Sequence, residues 1–200
     1  MSRTLSAIVA VCDDWGIGRE GDMLVTNRAD MRHFVRCTKG HTVILGRKTL
    51  ESFPGGRPLK DRRNIVLTRD ASFTCAGAEI AHSVDEALSL LSEDENAWVI
   101  GGAEIYRQLL PHCTRAVVTK NHCTRAADTF FPNLDGEKSW RPVETDGGYV
   151  IQPGEGDEGV AFEFVTYERV EPSDADKGTG YSWFDVAVDV VPTALDHVVG

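Results

Sequence analysis

Short, uninterrupted aliphatic runs alternate with helical patterns through the first half of the chain, and this alternation constrains the fold more than any other feature. Leu5 to Cys12 precedes a helical pattern from Arg28, and Thr42 to Leu45 precedes one from Arg47. Asn64 to Thr68 follows, and Ala97 to Ile100 precedes another helical pattern from Ala103. Runs this continuous suit strands covered on both faces, since a half-exposed strand would alternate apolar with polar residues. Strands separated by helices are joined by crossovers, which favour parallel pairing. The expected fold class is α/β, with a mostly parallel central sheet and helices on both faces.

Two helix starts show the spacing of a capping box, Asn27 with Asp30 and Ser83 with Glu86. Farther on, Ala116 to Thr119 reads as a strand. Ala161 to Tyr167 alternates like an antiparallel C-terminal strand beside Tyr149 to Ile151, across a loop rich in Gly, Glu and Asp. After Val170 the composition changes: Glu171 to Gly180 is polar and reads as a linker. Phe184, Val186, Val188 and Val190 then alternate as in an extra strand. The expected organisation is one domain over residues 1–170, followed by an acidic extension, 171–200, with 6 acidic residues and one Lys. Two hundred residues at 42% apolar content supply one substantial core.

The net charge of −10 argues against non-specific binding to nucleic acid or membrane through the whole surface. Residues 1–80 nevertheless carry 13 Lys and Arg against 9 Asp and Glu, so an anionic ligand should favour that part of the chain. The five cysteines are odd in number and include no CxxC pair, which suggests neither a disulfide framework nor a zinc site. The six histidines are scattered without metal-clamping spacing, so no metal is expected. No run approaches the roughly 20 apolar residues of a membrane span, and no signal-peptide cleavage pattern follows Arg3. A cytoplasmic monomer is the expected setting.

Two places share one design: an aliphatic strand, a glycine turn, then a helix start. One is Val43 to Leu45 followed by Gly46, Arg47, Lys48 and Thr49; the other is Val99 and Ile100 followed by Gly101, Gly102 and Ala103. Unpaired amides at a helix start attract phosphate, and glycine lets the backbone come close. Neither place matches GxGxxG or the P-loop, and a glycine pair serves equally well where a helix must pack tightly. Arg69, after the strand Asn64 to Thr68, stands where a further phosphate could be held; beside Lys48 it would favour NADP over NAD. Arg57, Lys60, Arg62 and Arg63 form a charge run, from which one guanidinium could bind a substrate carboxylate. Asp30 lies in a first helical turn followed by Met31 and Phe34. It would have its pKa raised beside an apolar cleft, although an acid there is also a good helix starter.

Taken together, AIVAV, GIG, VILGRKTLESF, GGRPLKDRRNIVLT, WVIGGAEIYRQLLP and ADTFFP occur in order and resemble the dihydrofolate reductase family over residues 5–170. The resemblance implies transfer of a hydride from NADPH to the pterin carbon beside N5, with Asp30 anchoring the pterin and assisting protonation. It further implies that Ile8, Ala10, Ile100 and Thr119 meet the pterin, that Met31, Phe34, Phe53 and Leu59 line the aminobenzoyl passage, and that Arg62 takes the glutamate carboxylate. Ile17, Gly18 and Met23 would belong to a mobile loop over the nicotinamide. Gly46, Arg47, Lys48, Thr49, Thr68, Arg69, Gly101, Gly102, Ile105 and Tyr106 would contact the cofactor, and Gly101–Gly102 would be a cis peptide.

One segment departs from the family. Where the family reads Leu-Pro-Trp and then Leu-Pro before the acid, this chain has Met23, Leu24, Val25, Thr26, Asn27, Arg28 and Ala29. Val25 has no donor with which to orient a water, a loss worth about 1 kcal/mol. Without the prolines the segment is expected to be freer. Three alternatives follow: reduction of another pterin, reduction of the ribosylaminouracil intermediate of riboflavin synthesis, or a non-catalytic ligand-binding homologue.

Overall fold

The structure is a computed structural model that describes residues 3–170. The extra strand expected within 171–200, and the extension as a whole, lie outside the described residues. Among the described residues an eight-stranded sheet organises the fold. Its strands are β1 (Thr4–Val11), β4 (Thr42–Gly46), β5 (Arg63–Leu67), β6 (Glu79–Ala81), β7 (Asn96–Gly101), β8 (Arg115–Asn121), β10 (Trp140–Val150) and β11 (Ala161–Arg169). They lie in the order β10-β11-β8-β1-β7-β4-β5-β6. The run from β8 to β6 is parallel, whereas β11 is antiparallel to both of its neighbours, as the alternating pattern predicts. A second, small sheet joins β2 (Gly16–Arg19), β3 (Asp22–Met23) and β9 (Thr129–Phe130) in the order β3-β2-β9.

The strand side chains divide by parity between two apolar layers. Leu5, Ala7, Val9, Ile44, Val99 and Val118 enter one layer; Ile8, Val43, Leu45, Ile100 and Val117 enter the other. Against the first layer pack α3 (Val84–Ser89) and α4 (Ala103–Leu109), through Ala87, Ile105, Tyr106 and Leu109. Against the second pack α1 (Arg28–Thr38) and α2 (Arg47–Ser52), through Phe34, Cys37 and Leu50. Both predicted caps form. The Asn27 side chain accepts from the N–H groups of Ala29 and Asp30, and Ser83 accepts from that of Glu86.

The segment before α1 is held more firmly than its lack of proline suggests. Asp157, in the loop between β10 and β11, accepts from Thr26 N–H at 3.0 Å and donates its own N–H to the Thr26 carbonyl at 2.8 Å. Arg28 N–H donates to the Glu155 carbonyl at 2.8 Å, and Arg32 pairs with the Glu155 carboxylate at 2.7 Å. Arg125 Nη1 donates to the Leu24 carbonyl at 3.0 Å and lies 3.1 Å from Asp157. At Gly156 (φ +135) a Cβ would fall 2.0 Å from the Thr26 carbonyl oxygen, so only glycine permits this approach. Val25 is buried in a third cluster with Cys12, Ile151 and Phe162. Partners more than 100 residues away thus supply the restraint that prolines would otherwise supply locally.

Candidate active site

The cap on Asn27 fixes where α1 begins, and with it where Asp30 points. Thr119 of β8 donates its hydroxyl to Asp30 Oδ1 at 2.6 Å. Burial lifts the Asp30 carboxyl above the usual carboxylate range, while the Thr119 hydroxyl pulls it back down. Ile8 and Ile100, together with half-buried Phe34, Phe53 and Leu59, share the apolar layer on this face. Met31, one residue after the acid, is 49% exposed. Ala10 lines a cavity of about 10 Å³ with Ile17, Met23, Val25 and Asn121.

At the far end of α1, Arg62 donates from Nε to Thr38 Oγ1 at 2.9 Å and from Nη1 to the Lys60 carbonyl at 2.7 Å. Its guanidinium carbon sits 5.8 Å from the centre of the Phe34 ring. Thr38 follows Asp30 by eight positions on one helix, a rise of about 12 Å. Arg62 also borders a groove of about 420 Å³ at the amino ends of β4, β5 and β7. The neighbouring Arg63 is engaged differently, in ion pairs with Glu79 at 2.6 Å and Glu95 at 2.9 Å. Of the four cations in the charge run, Arg63 therefore secures the strand starts.

The two glycine turns lie side by side at the carboxyl ends of β4 and β7, where Leu45 pairs with Gly101. Neither α2 nor α4 has a side-chain cap, in contrast to α1 and α3. The Gly101–Gly102 peptide is cis. A Cβ on Gly46 would stand 2.9 Å from Ile105 Cγ1, one on Gly101 (φ +120) 3.3 Å from the Tyr106 ring, and one on Gly102 3.2 Å from Thr49 Oγ1. The backbone therefore forms a side-chain-free cradle backed by Ile105 and Tyr106, the latter donating its hydroxyl to the Ile8 carbonyl at 2.6 Å. Such a cradle fits a dinucleotide phosphate.

Around it, Arg47 pairs with Asp70 at 3.0 Å and with Glu51 at 3.4 Å. The Gln108 side chain and the Arg107 charge hold the Glu104 carboxyl, in the first turn of α4, below its usual range, and the Arg69 charge adds a smaller pull. Lys48 is exposed, Thr49 half-buried, and Thr68 half-buried just beyond β5, where its carbonyl meets His82 Nδ1 at 3.0 Å. Gly18 and Met23 pair across the β2–β3 hairpin, and Met23 is 57% exposed. The hairpin is tied to the segment before β9 by Glu20 N–H donating to Asp128 at 2.8 Å. The residues that sequence reasoning missed are Arg125, Glu155 and Asp157, which secure the segment before Asp30. No spacing rule joins them to it, and only their charges hint at a role.

Comparison with known proteins accords with this geometry. The family model described as Dihydrofolate reductase matches residues 4–169. A dihydrofolate reductase of Staphylococcus haemolyticus is 38% identical over 166 residues, covering 83% of this chain and 96% of the relative. The dihydrofolate reductase HdrB of Haloferax volcanii is 37% identical over 179 residues, covering 86% of each. Among solved structures, dihydrofolate reductase from Enterococcus faecalis complexed with NADP(H) and RAB-propyl superposes with a TM-score of 0.75 at 32% identity, covering 84% of this chain and 97% of that one. With its mostly parallel sheet, twin glycine turns and half-buried acid on α1, this chain belongs to the dihydrofolate reductase family.

Proposed function

We propose that the chain reduces 7,8-dihydrofolate to 5,6,7,8-tetrahydrofolate, with Asp30 as the group that anchors the pterin and manages its proton. NADPH is the cofactor, and when bound it supplies the hydride that reaches the pterin carbon beside N5. The observation that carries the assignment is the Thr119–Asp30 hydrogen bond beside the apolar layer of Ile8, Ile100 and Phe34. With Oδ1 occupied by Thr119, Oδ2 is the oxygen that faces the pterin. A carboxyl whose pKa is raised by burial keeps a proton into a range where an exposed aspartate has lost it, as protonation at N5 requires.

Ala10, Ile100 and Thr119 border the pterin, and Met31, Phe34, Phe53 and Leu59 enclose the aminobenzoyl ring. Arg62 receives the glutamate carboxylate at the other end of α1. The span of about 12 Å along the helix separates the two polar ends of one elongated substrate. Gly46, Gly101 and Gly102 give the cofactor phosphates a close backbone approach, and Arg47, Lys48, Thr49, Thr68 and Arg69 surround them with donors, Arg69 and Lys48 serving the 2′-phosphate. Ile105 and Tyr106 hold the glycine turns in place, and Ile17, Gly18 and Met23 cover the nicotinamide. Residues 1–170 form the catalytic domain and 171–200 an acidic extension of it. The chain works as a cytoplasmic monomer without nucleic acid. Among the described residues no helix is long and apolar enough to cross a membrane.

Loss of nicotinamide absorbance on mixing enzyme, NADPH and dihydrofolate tests the assignment. Absence of turnover at high enzyme concentration overturns it. A side-by-side assay with a tail-less dihydropterin and the riboflavin-pathway intermediate settles the substrate class. No observation favours the riboflavin or the non-catalytic reading.

A further inference from the structure

Cys12 and Cys123 bring their sulfurs to 3.7 Å at the base of the loop that leads to α1. Each stands just past the end of a strand, Cys12 after β1 and Cys123 after β8, and the two strands are paired as far as Val11 and Lys120. The two backbones are also joined there, Asp13 N–H donating to the Cys123 carbonyl at 3.1 Å. A disulfide needs the sulfurs at about 2.05 Å. Residues 122–128 are irregular and can make that adjustment where a strand could not.

The position is one from which a crosslink would act on the site. Cys12 marks where the loop leaves β1, and Arg125, two residues after Cys123, holds the Leu24 carbonyl where the loop ends. Cys12 further lines the cavity shared by Ala10, Ile17, Met23 and Val25. We propose that small-molecule disulfides reversibly oxidise Cys12 and Cys123 to a disulfide with each other, closing the base of loop 13–24 and slowing turnover. The turnover effect rests on the reductase reading; the crosslink does not.

The chemistry balances by two exchanges. The thiolate of Cys123, the more accessible sulfur, attacks a small disulfide RSSR to give a mixed disulfide and expel RS⁻. Cys12 then attacks the Cys123 sulfur, the S–S bond to R breaks, and the departing RS⁻ takes up the Cys12 proton. Both cysteines are oxidised, and RSSR is reduced to two thiols. Burial, followed by the contact with Cys123, pushes the Cys12 thiol up to about 12. The second cause disappears once Cys123 is capped. Cys12 is accordingly the resolving partner.

The test incubates the full chain with oxidised glutathione. The expected result is a mass loss of two hydrogens, a Cys12–Cys123 linked peptide, and slower amide exchange over residues 13–25, with NADPH-dependent turnover several-fold lower. Dithiothreitol reverses all of these. Cys12→Ser should stop at a stable glutathione adduct on Cys123, and Cys123→Ser should give no crosslink and a turnover indifferent to glutathione. A wild-type chain that yields no linked peptide, or that keeps glutathione on Cys123, overturns the proposal. So does a linked peptide with unchanged exchange in the loop. A chain without any reductase turnover sinks the functional reading, while the mass and exchange results still decide the crosslink.

Discussion

Thr119 gives its hydroxyl hydrogen to Asp30 Oδ1 across 2.6 Å, joining a strand near one side of the sheet to the first turn of α1. Because this bond favours the ionised carboxyl, Thr119→Val should raise the Asp30 pKa further. The inflection in the pH profile of turnover should move to higher pH. Stability should fall by about 1 to 3 kcal/mol, the range for leaving a buried partner unsatisfied. An inflection that stays put would show that Asp30 is not the titrating group.

Asp30→Asn should lower turnover by roughly 10² to 10⁴, the usual contribution of a positioned acid or base. Its stability effect has the opposite sign. With the folded pKa raised above the unfolded value, the aspartate's contribution is complete below the unfolded pKa and is lost as pH rises through the folded one. The asparagine variant should therefore melt higher than the parent near pH 7, with the advantage gone below about pH 4. Thermal melts across pH measure this directly.

Arg62→Ala removes a guanidinium that Thr38 and the Lys60 carbonyl hold in place. A charge-assisted hydrogen bond is worth about 1.5 to 3 kcal/mol, so KM for dihydrofolate should rise about 10- to 100-fold. A tail-less dihydropterin should show no change. Equal losses on both substrates would remove Arg62 from the carboxylate end.

Gly46→Ala puts a methyl group 2.9 Å from Ile105 Cγ1 and into the space between the two glycine turns. Overpacking of this kind costs roughly 1 to 3 kcal/mol. The rise in melting temperature that NADPH produces in the parent should shrink in the variant, because the phosphate cradle is partly filled. An undiminished ligand-induced shift would place the cofactor elsewhere.

Asp157→Ala cuts the side-chain bond to Thr26 and the ion pair to Arg125 in one step. Amide exchange over residues 24–28 should accelerate, and high salt should mimic part of the effect in the parent, since both ionic partners are partly exposed. Unchanged exchange would mean that the backbone bonds from Glu155 and Asp157 suffice.

Local pattern determined a large part of this protein. Uninterrupted runs such as Thr42 to Leu45 and Ala97 to Ile100 marked strands covered on both faces, and Asn27 and Ser83 set helix starts through bonds reaching two or three residues. Strand–turn–helix spacing marked the glycine turns, the first helical turn marked Asp30, and the family resemblance added Thr119. Other elements left no such trace. β10 is exposed along nearly its whole length and carries no apolar period before Tyr149, β6 has three residues, and β2, β3 and β9 have only two to four residues each. The sequence also pointed to a loosened segment from Met23 to Ala29, because proline's restraint is local and visible. Only the tertiary structure decided otherwise. Arg125, Glu155 and Asp157 grip that segment from beyond the sheet, and side-chain bonds between residues a hundred positions apart depend on how the chain folds back, which no local pattern records.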